Sequence, residues 1–201
     1  MSDRSAIKRV FGTTLATLVV AMLLLPVAQA EGIPIDVEYT GTGHYVDLPS
    51  DPLALPGPNI VSGDSKGSFG AKSTVIVSNF VPILEPAPTP PCKSSDHQFL
   101  LIGYANAVVT FQDGSQIFAR GEFGDQGWMC IDPSTGEFFG ESYGEFIGGK
   151  GRFEGASGTY TAPFNGFQLY APVVGDEPFP FGPELPFIAI EGSIFGTVTF
   201  D

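Results

Sequence analysis

The residues that could carry chemistry are few and scattered. Glu38 and His44, in "IDVEYTGTGHY", stand on the same side of an alternating segment, six residues apart. On an extended strand that is about 20 Å, out of each other's reach. General acid–base work needs both groups within hydrogen-bond distance of the reacting atoms, so other strands would have to bring partners to either one. Two readings stay open: a solvated outer face, which the pattern favours, or, if the polar side lines a lumen, groups that bind or protonate a ligand. His97, beside Asp96 after a proline-rich stretch, reads as a surface histidine. Asp125, Asp132 and Glu137 gather in "DQGWMCIDPSTGE" without the alternating oxygen ligands of a calcium loop, and read as solvated turns. "GASGT" and "EGSIFG" lack the spacing of a serine nucleophile elbow. "GGKG" is followed by neither Ser/Thr nor a helical pattern, so it is no phosphate loop. No catalytic residue, metal site or cofactor follows from these groups.

The first thirty residues do not belong to the folded part. Arg4, Lys8 and Arg9 form a basic front, "LATLVVAMLLLPVAQA" is a short apolar core, and Ala28-Gln29-Ala30 is a small-x-small cleavage pattern. This is a secretory signal peptide with its cut after Ala30, which implies a secreted or periplasmic protein. No later segment approaches the roughly 20 apolar residues of a membrane span. Removing the leader takes away three basic residues and one acid, so the full-sequence charge of -13 becomes about -15. Such a surface repels a phosphate backbone and argues against nucleic-acid binding. The two cysteines, Cys92 and Cys130, both follow the leader, and in an oxidising compartment pairing is the expected outcome. Closing that loop of about 40 residues stabilises the fold by about 4 kcal/mol in the chain-entropy model. Free or metal-binding thiols are the weaker alternative, since no histidine cluster accompanies them. The sole tryptophan, Trp128, reads as packing beside that disulfide.

Residues 31–201 are enough for one domain. In segment 35–45, Ile35, Val37, Tyr39, Gly41, Gly43 and Tyr45 share one side, and Asp36, Glu38, Thr40, Thr42 and His44 the other. That split at period two is a half-buried strand. "IEGSIFGTVTF" repeats it, and "KSTVIVSNF", "QFLLIGYANAVVTF", "SQIFARGEFG" and "EFFGESYGEF" are β-branched and aromatic runs between turn signals. No stretch after the leader sustains a helical period. Proline-rich stretches at 48–59, 81–92 and 171–186 cannot supply ladder donors and read as long outer loops. The sequence predicts an all-β domain. The glycines spread through "IGGKGRFEGASGTY" suit a sheet bent sharply enough to close into an antiparallel barrel without exposed edges.

"GGKGRFEGASGTY" also resembles the "GGTGxFxGAxG" signature of the allene oxide cyclase and dirigent barrel superfamily, including its secreted bacterial members. Gly148, Gly149, Gly151, Phe153, Gly155, Ala156 and Gly158 match it, Lys150 stands in place of the usual Thr, and Ser157 stands where plant dirigent proteins commonly carry Arg. "DPSTGEFFGESYGEF" and the closing strand resemble the family's later strands, so the likeness covers roughly residues 100 to 200. It implies an eight-stranded antiparallel barrel in which this motif ends one strand and opens the next, and it leaves oligomerisation open. The motif is structural; neither cyclase nor dirigent site residues map onto positions here.

Eighteen phenylalanines and six tyrosines are many for a small barrel. Most fill the core in the simplest reading; the rest would line a cavity, with "DEPFPFGPELP" as a lid carrying Phe179, Phe181 and Phe187. Three functions follow. One is a secreted barrel that binds an apolar small molecule, with Phe179, Phe181, Phe187, Glu38 and His44 as candidate lining. Another is an extracellular structural or interaction protein working through its acidic exterior or its proline-rich loops. The last, a cofactor-free cyclase, isomerase or dirigent-like guide, ranks lowest because no constellation of catalytic groups is visible.

Overall fold

Alternation at period two becomes strand β1, Ile33–Tyr45, whose Ile35, Val37 and Tyr39 are buried while Asp36, Glu38 and Thr40 face outward. The computed structural model describes residues 32–45, 58–83, 86–121, 127–169 and 187–200. The expected leader with its cut at Ala30, most of the proline-rich stretches at 48–59 and 171–186, Asp125, Phe179 and Phe181 lie outside the described residues. The remaining strands are β2 (Asn59–Gly67), β3 (Ala71–Ile83), β4 (Gln98–Phe111), β5 (Gln116–Gly121), β6 (Gly127–Ile131), β7 (Glu137–Lys150), β8 (Ala156–Leu169) and β9 (Phe187–Phe200). Single 3-10 turns at Ser68–Gly70 and Gly151–Phe153 are the other regular elements among the described residues, and no helix there is long and apolar enough to cross a membrane.

The nine strands form one antiparallel sheet in the order β3-β2-β1-β9-β8-β7-β5-β4-β6, and the further pairings β3–β4 and β7–β6 close it in a ring. Nine strands fill eight places, because β5 and β6 lie end to end between the same two neighbours. Residues Gln98–Leu101 of β4 pair with β6 and Ala105–Thr110 with β5, while β7 does the same on the other side. Closure leaves no long unpaired edge among the described strands.

Glycine contributes in a way that curvature alone does not explain. Along the β7–β8 ladder four of the five inward pairs are Phe138↔Gly166, Gly140↔Phe164, Gly144↔Tyr160 and Phe146↔Gly158, so each large ring faces a residue with no side chain; the fifth is Ser142↔Ala162. A Cβ at Gly140 would stand 2.7 Å from a ring carbon of Phe164, one at Gly166 2.6 Å from Phe138, and one at Gly144 2.7 Å from Tyr160. The rings lie across the facing glycines, which fits wide aromatics inside a narrow ring at native packing density.

The two ends of the ring differ. At one end the connections are tight turns, and four aromatic rings fill the opening. Phe111 and Phe153 stack at 4.5 Å, Phe69 meets both edge-on, and Phe200 stacks on Phe153 at 6.3 Å. The guanidinium of Arg152 lies 5.0–5.3 Å from the ring centres of Phe69, Phe111 and Phe153, donates to the Phe69 carbonyl at 2.6 Å, and stands 3.5 Å from the Asp113 carboxylate. Phe69 has φ 59, a left-handed conformation that is strained for a bulky residue, and these contacts hold it. At the opposite end β1 stops and β2 starts, β3 stops and β4 starts, and β8 stops and β9 starts. All three proline-rich stretches therefore join strands at that end.

Cys92 and Cys130 are bonded to each other. Cys130 points away from the ring interior, and with Cys92, Ala87, Phe99, Trp128 and Phe139 it makes a second small core on the outside of the sheet. Trp128 packs edge-on against Phe139 at 5.9 Å. The bond pins residues 86–97 to the five-residue strand β6, a cross-link of the kind that persists in oxidising compartments.

Candidate ligand cavity

Two clusters of buried side chains share the ring interior. One, built on Val37, Val109, Phe111, Phe153 and Val198, fills the turn end; the other, built on Leu100, Ile102, Met129, Phe138, Phe164 and Ile188, fills the end of the long connections. Between them is a cavity of about 60 Å³. Its walls are mostly apolar: Ile102, Met129, Phe138, Phe164 and Ile188 all face it, and the small side chains of Ala105, Ala107 and Ala162 set its width. Phe80 and Gln168 lie toward the long-connection end.

The polar groups that reach this space are Tyr39, Asn59, Ser78, Ser142, Tyr160 and Gln168. Among the described residues that line it there is no carboxylate, histidine, lysine or arginine. Burial pushes the Tyr39 phenol far above its ordinary pKa, with Tyr160 adding to the rise. Burial raises Tyr160 too, partly offset by the nearby Ser142 hydroxyl. Both phenols are therefore neutral donors at ordinary pH rather than bases. The Ser142 hydroxyl, although near Tyr160, meets hydrogen-bonding geometry with no group among the described residues, and the same holds for Asn59 Oδ1. Asn59 is 2% and Ser142 7% exposed, so neither atom is served by bulk water.

The raised phenols have a consequence for stability. Their folded pKa values exceed those of the unfolded chain, so the unfolded chain ionises first as pH rises. Their contribution is complete below about pH 10 and is lost above it. Denaturant midpoints should stay level from about pH 7 to 9 and fall beyond about pH 10, less steeply in Tyr39→Phe. A midpoint in Tyr39→Phe that follows the parent at every pH would contradict this assignment.

The residues singled out from the sequence fall elsewhere. Glu38 lies on the outer face, its carboxylate 2.8 Å from the Lys66 ammonium, with both side chains largely solvated. His44 is exposed and meets Phe187 at 6.5 Å between ring centres, also on the outside, where Phe187 is 51% exposed. None of these three lines the cavity. An outer groove near Glu38 is crossed by the Glu38–Lys66 pair and by Asn165 donating to Glu191 at 2.9 Å, so its polar groups serve one another. His97, expected at the surface, is half-buried instead. Its ring packs edge-on against Phe139 at 6.2 Å, and its Nδ1 has no partner among the described residues. Asp132 Oδ1 accepts from the Ser134 amide and hydroxyl, which hold its carboxyl below the usual range. No group of three or more His, Cys, Asp or Glu side chains able to hold a metal ion occurs among the described residues.

The motif stretch ends β7 at Lys150, turns through Gly151–Phe153, and opens β8 at Ala156. Gly148, Gly151, Gly155 and Gly158 have φ of 124, 65, 74 and 144. A Cβ at Gly149 would meet the Gln116 carbonyl at 2.2 Å. Those five glycines thus shape the turn end and take no part in the cavity. The cavity's own polar residues were not singled out as a site from the sequence. Ser142 carried a readable signal, a hydroxyl in the inward series Phe138, Gly140, Ser142, Gly144, Phe146. Asn59 carried none, since it follows a proline in a stretch that reads as loop. Comparison with protein-family models, with curated proteins and with solved structures finds no match to this chain.

Proposed function

We propose that the chain is a secreted β-barrel protein that takes up a small apolar molecule through the end of the ring where the three proline-rich stretches attach. The observation that carries this reading is the apolar cavity itself, stopped at the other end by the Phe69, Phe111, Phe153 and Phe200 plug. Ligand sites are typically concave, mostly apolar, and furnished with a few polar groups that fix orientation. The lining has that make-up.

Size restricts the occupant. An apolar cavity of roughly 150 Å³ takes a benzene ring; here the space is about 60 Å³. A ligand inserts one end, or the flexible Met129 side chain moves aside for it. A cyclase or isomerase reading draws less support, because acid–base catalysis needs a titrating pair near neutral pH and the cavity offers only two phenols with raised pKa values. Ring closure and the placement of "GGKGRFEGASG" between adjacent strands support a barrel of the allene oxide cyclase and dirigent type. The basic-then-apolar leader and the Cys92–Cys130 bond support export.

The test is whether an apolar molecule co-purifies with the protein and whether Ala162→Leu, which fills the cavity from one wall, abolishes its retention. An empty parent protein would move attention to the outer face, where Phe167, Phe187 and Phe195 are exposed.

A further inference from the structure

We infer that the molecule bound in this cavity is uncharged and carries a hydroxyl group, recognised by Ser142 and Asn59; the inference rests on the cavity being a ligand site. Four buried side-chain polar atoms lack a hydrogen-bond partner among the described residues, and two of them, Asn59 Oδ1 and Ser142 Oγ, belong to residues that line this one cavity. A buried polar atom left unpaired is costly, and two such atoms facing one space mark what its occupant must supply.

The chemistry of the two atoms narrows the class. An amide oxygen only accepts, so Asn59 Oδ1 requires a donor, whereas the Ser142 hydroxyl donates or accepts. A pure hydrocarbon, an ether or an ester brings no donor. A carboxylate or phosphate brings only acceptors and would enter a lining without Lys, Arg or His, losing its hydration with no countercharge. An ammonium has donors but no carboxylate to meet it. A hydroxyl does both. Seated beside Ser142, it can also accept from the Tyr160 phenol, which burial keeps protonated. Asn59 stands across the ring, as the first residue of β2 at the long-connection end. Its amide has room because a Cβ at Gly43 would lie 3.0 Å from Oδ1. A second hydroxyl, or that of a ligand entering tail-first, would reach it there. With about 60 Å³ inside, only the head of an aliphatic alcohol is enclosed and its chain runs toward the long connections.

The experiment titrates the full mature protein with 1-hexanol, hexane and hexanoate, following the Met129 methyl resonance, for the parent, Ser142→Ala and Asn59→Leu. Both replacements remove an unpaired polar atom, so melting curves should show folded variants; if Asn59→Leu fails to fold, Ser142→Ala carries the comparison. The expected result is that hexanol binds, hexanoate does not, and at least one variant weakens hexanol by up to about tenfold while leaving hexane unchanged, as loss of one net hydrogen bond requires. Equal hexanol and hexane binding with no variant effect, or preferred binding of hexanoate, would overturn the alcohol assignment and leave an apolar ligand site standing. No shift with any of the three would remove the ligand-site reading together with the inference built on it.

Discussion

Gly158→Ala should yield no folded protein. A Cβ at this position would sit 1.9 Å from the Thr197 carbonyl oxygen and 3.0 Å from its carbon. The obstacle is backbone, so no side-chain rotation relieves it, and Gly158 pairs with Val198 near the turn end of the register that joins β8 to β9. Its φ of 144 adds conformational strain for any residue with a side chain. Prising the two strands apart there opens the ring, and a loss above roughly 5 kcal/mol is comparable with the whole stability of a small domain. Gly148→Ala is the control that separates space from conformation: φ is 124, but nothing lies within 4 Å of the added carbon. Its expected loss is only about 1–3 kcal/mol from backbone strain. Circular dichroism and denaturant melts of the two variants decide the matter. Similar losses in both would mean that close strand approach is not what these glycines provide.

Replacing Cys92 and Cys130 together by Ser should lower stability by about 4 kcal/mol, from the loop of 38 residues that the bond closes. The effect should begin locally. The bond ties residues 86–97 to β6, which has only five residues and whose Trp128 joins Phe99 and Phe139 in a small core outside the ring. Opening that core exposes Trp128, the one tryptophan of the chain, while the main ring keeps its own clusters. Under mild reductant the tryptophan emission should therefore move to longer wavelength before the strand signal in circular dichroism falls. Simultaneous loss of both signals would show that the outer core and the ring unfold as one unit.

Much of the architecture was legible because burial on one side imposes a period. Ile35, Val37 and Tyr39 against Asp36, Glu38 and Thr40 specified both the strand and its inner face, and the same pattern placed Glu38 and His44 where solvent is the favoured environment. The phenylalanines were harder to allot. Nine of them fall in three places: Phe69, Phe111, Phe153 and Phe200 at the plugged end, Phe80, Phe138 and Phe164 at the cavity, Phe99 and Phe139 outside the ring beside the disulfide, whereas Phe167, Phe187 and Phe195 are exposed. Nothing in composition distinguishes these, since each depends on which strands the ring brings together. Glycine was read as a device for bending, and its pairing with a facing aromatic, as in Gly140↔Phe164, required the register. The cavity's polar atoms were hidden for the same reason. Ser142 and Asn59 sit on β7 and β2, which face each other across the ring, and only closure makes them part of one space.

The most direct test of a ligand-binding interior is native mass spectrometry of the protein purified from the cells that make it, followed by denaturing extraction. The expected result is a stoichiometric mass above that of the bare chain, an uncharged apolar molecule in the extract, and the loss of both in Ala162→Leu. A bare mass in the parent, with no uptake of xenon or of an apolar probe by the purified protein, would contradict it.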